Sequence, residues 1–123
     1  MRRATLWLPP AACMLLIFYF SSQSRPMPFV TEHVWDKLLH FAEYAALGAL
    51  LFRALRGEGL SRALAFMAAA VAAAAYGATD EWHQSFVLLR DASVHDWLTD
   101  LLGGAAGAVF CSTLCNPVDR RRQ

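Results

Sequence analysis

Charged residues are scarce in this chain. Asp, Glu, Lys and Arg make up only 17% of its 123 residues, whereas 57% of the residues are hydrophobic. Soluble domains usually contain about 25% charged residues, so the composition argues against an ordinary soluble domain. The length leaves room for one domain, or for one small bundle of helices. We expect no nucleic-acid partner.

Cysteine is also rare. The chain has three cysteines, which is an odd number, and they lie within or beside apolar segments: Cys13, Cys111 and Cys115. None of them shows the CxxC spacing that is typical of zinc sites, and buried cysteine usually behaves as a small hydrophobic residue. We therefore predict neither a disulfide nor a cysteine-bound metal.

Apolar sequence is what the chain has in abundance. It forms four stretches, Thr5–Phe20, Leu38–Leu55, Ala63–Thr79 and Trp97–Cys115. Each is near the roughly 20 residues that cross a bilayer core, and a helix satisfies all of its backbone groups in lipid. We predict an all-α membrane protein with a single domain over 1–123. Its four transmembrane helices, at about 5–20, 37–55, 62–80 and 96–115, form an up-and-down bundle. The hydropathy disfavours the alternative, a compact soluble helical protein.

The first apolar stretch follows Arg2 and Arg3, as the apolar part of a signal peptide follows basic residues. The bulky Tyr19 and Phe20 at its end make a poor cleavage site. We therefore expect this stretch to be a retained helix.

The charged residues separate onto two sides of the predicted membrane. Most basic residues lie on the side that holds both termini and the loop between the second and third helices. The other side holds most acidic residues and all four histidines. By the positive-inside rule the basic side is cytoplasmic. We therefore predict that both termini are cytoplasmic, that the membrane is the bacterial cytoplasmic (inner) membrane, and that the acidic side faces outward.

Ionisable residues continue from the acidic side into the apolar helices. They lie at the start of the second helix, the end of the third and the start of the fourth: Asp36, His40, Tyr44, Asp80, Glu81, Asp96 and Asp100. In an up-and-down bundle these helix ends converge at one membrane surface. A charge in hydrocarbon costs about 2.5–3.5 kcal/mol, so such residues are usually interior and paired. We predict a polar cluster at this surface, which serves either a function or the pairing of helices.

The predicted cluster has the chemistry of a metal or phosphate site. Four side chains offer oxygen ligands suited to a divalent cation, Mg²⁺ or Mn²⁺, that in turn holds phosphate oxygens: Asp80, Glu81, Asp96 and Asp100. An imidazole acts as acid or base near neutral pH. The candidate catalytic residues are therefore His40, Glu81 and Asp80.

Two segments carry a resemblance to a known family. "DKLLHFAEYAALG" and "DEWHQSFVLLRDASVHDWLTDLLGGAAG", with "SSQS" after the first helix, resemble the VanZ-like family of small bacterial membrane proteins. The match runs from about Phe18 to Gly107. The family pattern carries over to Asp36, Lys37, His40, Phe41, Tyr44, Asp80, Glu81, Gln84, Phe86, Arg90, Ser93, Asp96 and Gly103. The chain departs from it at Leu88 and Leu89, where the family usually has Pro-Gly, and at Asp100, where it usually has Asn.

The resemblance supplies the candidate binding residues, which are Asp36, Lys37, Tyr44, Gln84, Arg90 and Ser93. Among them Arg90 and Lys37 would hold a phosphate or a carboxylate, Arg by a two-pronged contact. The founding member of the family accompanies glycopeptide resistance and gives low-level teicoplanin resistance. The resemblance thus implies a membrane protein of the bacterial cell envelope.

Two classes of function remain open from the sequence. The first is an envelope enzyme or lipid-handling protein that acts on or binds an anionic lipid, such as a polyprenyl phosphate or a phospholipid headgroup. The second is a non-catalytic accessory protein, in which the cluster clasps the helices together and the surface binds a partner membrane protein. The sequence shows no known catalytic motif, so both classes stand.

Overall fold

The computed structural model describes residues 2–24, 33–90 and 92–114, with side chains described from residue 3 and, in the second helix, from residue 37. It contains four α-helices, α1 (Arg2–Ser21), α2 (His33–Gly57), α3 (Arg62–Gln84) and α4 (Val94–Leu114). No strand occurs in these ranges. Each helix is long and apolar enough to span a membrane. The predicted all-α architecture of four spanning helices is therefore confirmed.

The helices extend beyond the apolar stretches of the sequence. α3 continues through Asp80 and Glu81 to Gln84, and α4 begins at Val94, ahead of Asp96. These polar residues end the apolar stretches of the sequence, but the helices continue through them. Asp80, Glu81 and Gln84 lie inside the bundle, where they are buried. The extra turns carry the side chains of the candidate site.

Glycine sets the spacing between α2 and α4, which form the largest helix-to-helix interface. A Cβ added to Gly103 or Gly107 of α4 would collide with the backbone of α2, at Phe41 and Ala45 respectively. A Cβ on Gly48 of α2 would collide with the backbone of α4 in the same way. Small residues let helices approach closely in lipid. The two helices are consequently held nearly backbone to backbone.

The buried polar side chains all gather at one end of the bundle, where α1 and α3 end and α2 and α4 begin; we call it the polar end. In the described part of the chain the buried polar residues are Ser21, His40, Asp80, Glu81, Gln84 and Asp100. The rest of the interior is apolar, with Leu47, Ala65 and Ala69 fully buried. The cytoplasmic placement of both termini stays a prediction from charge.

We predict that Gly107→Leu destabilises the bundle, whereas Ala106→Leu does not. The first change forces a side chain into the backbone of Ala45, and overpacking of this kind costs about 1–3 kcal/mol. The second adds the same side chain at an exposed neighbouring position. Thermal unfolding of the two purified variants in detergent measures the difference. Equal melting temperatures would contradict the close α2–α4 contact.

Candidate functional site

His40 and Asp100 meet across the α2–α4 interface. The imidazole Nδ1 lies 3.1 Å from Asp100 Oδ1, and Asp100 has no solvent exposure at all. Gly77 of α3 makes room for the carboxylate, because a Cβ there would lie 3.1 Å from Asp100 Oδ2. The close helix contact thus places a carboxylate and an imidazole together inside the bundle.

Glu81 brings a second carboxylate from α3. Its Oε2 accepts a hydrogen bond of 2.8 Å from the backbone N–H of Ser93, just ahead of α4. His40, Glu81 and Asp100 are all buried, and each offers one ligand atom within 4.8 Å of the other two. We call these three residues the triad. This arrangement is compatible with one shared metal ion.

Asp80 belongs to a separate group. Its Oδ2 accepts hydrogen bonds from Ser21 Oγ at 2.7 Å and from Gln84 Nε2 at 3.1 Å. Gln84 Nε2 also donates to Ser21 Oγ at 3.0 Å. We call Ser21, Asp80 and Gln84 the clasp, because these bonds join the end of α1 to the end of α3.

Several buried oxygens have no hydrogen-bond partner within the described residues. They are Tyr44 OH, Asp80 Oδ1, Glu81 Oε1 and Asp100 Oδ2. Buried polar atoms are normally bonded, and each unsatisfied one costs about 1–3 kcal/mol. Two of the four belong to triad carboxylates, so the triad has coordination capacity that the described residues do not use.

The other predicted site residues surround the triad at varying distance. Lys37 is exposed on α2, and Asp96 is half-buried in the first turn of α4, outside the triad. Arg90 Nη2 donates to the backbone oxygen of Phe20 at 3.4 Å, and Ser93 contributes its backbone N–H. The side chain of Asp36 lies outside the described residues.

The structure therefore divides the predicted carboxylate set. Glu81 and Asp100 come together, Asp80 joins the clasp, and Asp96 stays apart. The imidazole of His40, which we expected to act as an acid or base, joins these two carboxylates in the triad. Adjacent helix positions diverge by about 100°, so the sequence alone could not separate Asp80 from Glu81.

Sequence reasoning missed a groove beside the triad. The groove has a volume of about 380 Å³ and runs between the polar ends of α3 and α4. Its lining residues are Ala78, Glu81, Trp82, Ser85, Ala92, Ser93, Val94 and Trp97. Trp97 is fixed by a 2.9 Å hydrogen bond from Nε1 to the backbone oxygen of Ala74. The sequence feature that could have indicated this groove is the pair of tryptophans fifteen residues apart, Trp82 and Trp97.

Sequence reasoning also missed the contacts of His83. Its ring stacks on Phe18 at a centroid distance of 4.6 Å, and its Nε2 lies 3.0 Å from Ser22 Oγ. Together with Ser21 in the clasp, these contacts explain the "SSQS" segment as the site where α1 attaches to α3. His83 lies half-exposed, away from the triad.

A comparison with family models gives the affiliation. The VanZ/LLP1 model matches residues 6–115, nearly the whole chain. The chain belongs to the VanZ/LLP1 family. No curated protein and no solved structure matches it. Four helices fit to span a membrane, together with this affiliation, make it a multi-pass membrane protein.

The loop ahead of α4 shows one consequence of the chain's departure from the VanZ-like pattern. Leu89 has a φ of 64°, in the left-handed region that favours glycine over residues with a Cβ. The Pro-Gly that the family resemblance leads one to expect at 88–89 would place glycine at this position. This VanZ/LLP1 chain therefore holds a leucine in a conformation that costs about 1–2 kcal/mol.

We predict that Ser21→Ala destabilises this VanZ/LLP1 protein by about 1–3 kcal/mol, because it removes one donor to the buried Asp80 and one acceptor for Gln84. The matched control is Thr79→Val, since Thr79 is exposed and its hydroxyl bonds only its own helix, at Tyr76 O. Denaturant unfolding of both variants measures the effect. A Ser21→Ala protein as stable as Thr79→Val would show that the clasp does not join α1 to α3.

Proposed function

We propose that this protein binds a phosphate-bearing lipid of the cell envelope at its polar end. The lipid's chain lies in the groove between α3 and α4, and its headgroup reaches the triad. One observation supports this most directly: Glu81 is both a triad residue and part of the groove wall. The mostly apolar groove thus adjoins the buried polar cluster at Glu81.

The position of the groove favours a lipid over a water-soluble ligand. Trp82 and Val94 are each 70% exposed, so in a bilayer they face lipid chains rather than other helices. Tryptophan is enriched at membrane–water interfaces, which puts this groove at the depth of the headgroups. Under the positive-inside rule this interface is the outer one.

A phosphate can bind at the polar end only if the negative charge of the carboxylates there is compensated. The carboxylates of Glu81 and Asp100 alone would repel an anion, so a positive group must accompany them. Lys37 and Arg90 stand at the same end, and the guanidinium of an arginine suits a phosphate. A divalent cation held by the carboxylates is the stronger partner, because it neutralises them and holds phosphate oxygens.

A non-catalytic accessory role is the second candidate. The clasp supports it, because its three side chains bond one another and join two helices. In this case the triad would also serve only to hold helices together, and the exposed surface would bind a partner membrane protein. Glu81→Gln separates the two: it abolishes lipid binding at unchanged abundance under the first proposal and lowers abundance under the second.

We predict that Ala78→Trp reduces lipid binding about tenfold, because the indole fills the groove; a tenfold loss corresponds to about 1.4 kcal/mol. Native mass spectrometry of the purified chain measures adducts with a polyprenyl phosphate and with phosphatidylglycerol, which separates the two lipid classes. The phosphate-free polyprenol and diacylglycerol serve as ligand controls.

Ala72→Trp is the matched protein control, since Ala72 is exposed on α3 but does not line the groove. It should bind as the wild type does. Equal adducts for Ala78→Trp and wild type, or equal binding of the phosphate-free lipids, would contradict the proposal.

We further propose that this lipid binding raises tolerance to teicoplanin, the property that the family resemblance implies. An occupied envelope lipid changes what the antibiotic meets at the cell surface. The expected result is a higher minimum inhibitory concentration in a susceptible bacterium that expresses the wild type than in one that expresses Glu81→Gln at equal abundance. Equal values would refute this link and leave the binding proposal to its own test.

A further inference from the structure

We infer that His40, Glu81 and Asp100 bind a divalent transition-metal ion, Zn²⁺ or Mn²⁺, which receives the phosphate of the lipid. This inference deepens the proposed function and rests on it for the identity of the group that the ion receives. The ion would lie where α2, α3 and α4 meet, because each of these helices supplies one ligand.

The distances within the triad suit a shared ion. With metal–ligand bonds of about 2.0–2.2 Å, two ligands of one ion lie about 3–4 Å apart. His40 Nδ1 and Asp100 Oδ1 are already 3.1 Å apart, and the whole triad falls within 4.8 Å. Bringing all three ligand atoms within this range requires a movement of no more than about 1 Å. The bond from Ser93 N–H to Glu81 Oε2 fixes the orientation of that carboxylate, as outer partners do around metal ligands.

The unpartnered atoms of the triad are an independent observation that points to a ligand. Asp100 is fully buried and Glu81 is 8% exposed, yet Asp100 Oδ2 and Glu81 Oε1 bond to nothing in the described part of the chain. Tyr44 is also fully buried with an unpartnered hydroxyl, and its ring edge borders Gly77 as Asp100 Oδ2 does. An ion would use the free carboxylate oxygens and would neutralise two buried charges that are otherwise costly.

The ligand set selects the class of metal. Carboxylates alone suit Mg²⁺ or Mn²⁺, whereas an imidazole favours Zn²⁺ and its transition-metal neighbours. One nitrogen and two carboxylates therefore disfavour Mg²⁺, which was an expectation from the sequence. Three protein ligands leave a coordination position open, as in catalytic zinc sites. A phosphate oxygen from the adjoining groove would occupy that position.

Metal analysis of the full chain tests the inference. The protein is purified in detergent without a histidine tag, stripped with a chelator, loaded separately with Zn²⁺, Mn²⁺ or Mg²⁺, and desalted. Elemental analysis should find about one Zn²⁺ or Mn²⁺ per chain and no retained Mg²⁺. Asp100→Asn and Glu81→Gln, which keep the side-chain shapes, should bind the ion at least about tenfold more weakly. Glu58→Gln should bind as the wild type does, because Glu58 lies at the other end of the bundle, where it bonds Trp7 and Arg3.

Two results would overturn the inference. One is a wild type that retains neither Zn²⁺ nor Mn²⁺, and the other is full retention by both triad variants, which would place the ion elsewhere. If one triad variant fails to fold, metal retention by the other variant tests the inference. If both fail to fold, metal retention by the stripped and reloaded wild type tests it.

Lipid binding by the same samples separates this inference from the proposed function. Adducts that survive removal of the ion would overturn the inference and leave the lipid proposal standing. One bound ion per chain without any phosphate-dependent lipid adduct would refute the lipid proposal and leave the metal site standing.

Discussion

The burial of the Asp100 carboxylate is the constraint on which the rest of the polar end depends. A charged group at membrane depth costs about 2.5–3.5 kcal/mol even on insertion scales, and this one has no solvent exposure. The chain accommodates it with His40 at 3.1 Å and with Gly77, which has no side chain to displace it. The glycines of α4 bring α2 close enough for the imidazole to reach. The glycines that set the spacing of the helices therefore also bring His40 and Asp100 together.

The two polar groups at this end differ in the side chains that they bring together. In the clasp, Ser21 and Gln84 both direct their donors to Asp80 Oδ2, and the result joins α1 to α3. In the triad, each of the two carboxylates keeps one oxygen without a partner among the described residues, as Asp80 Oδ1 does in the clasp. The triad differs from the clasp in that it brings two carboxylates and an imidazole within 4.8 Å of one another. The proposed metal site therefore rests on this ligand set and not on the unpartnered oxygens alone.

The four helices were predictable because hydropathy and length report directly on membrane spans. The sequence likewise predicted that His40 and Tyr44 belong to a polar cluster at one end of the bundle. Which carboxylates would meet was not predictable, because Asp80 and Glu81 diverge by about 100° on α3 and helix rotation is set by packing at Gly77, Gly103 and Gly107. The groove is formed by residues of both α3 and α4 and of the segment between them, and such packing leaves no periodic pattern in the sequence.

We propose that the triad binds an ion and does not merely pair helices. An experimental structure of the Mn²⁺-loaded protein, with anomalous scattering recorded for the metal, would decide between the two. We expect one anomalous peak about 2.0–2.3 Å from an atom of His40, of Glu81 and of Asp100. No peak at that position, with the carboxylate oxygens instead bonded to one another or to ordered water, would contradict it.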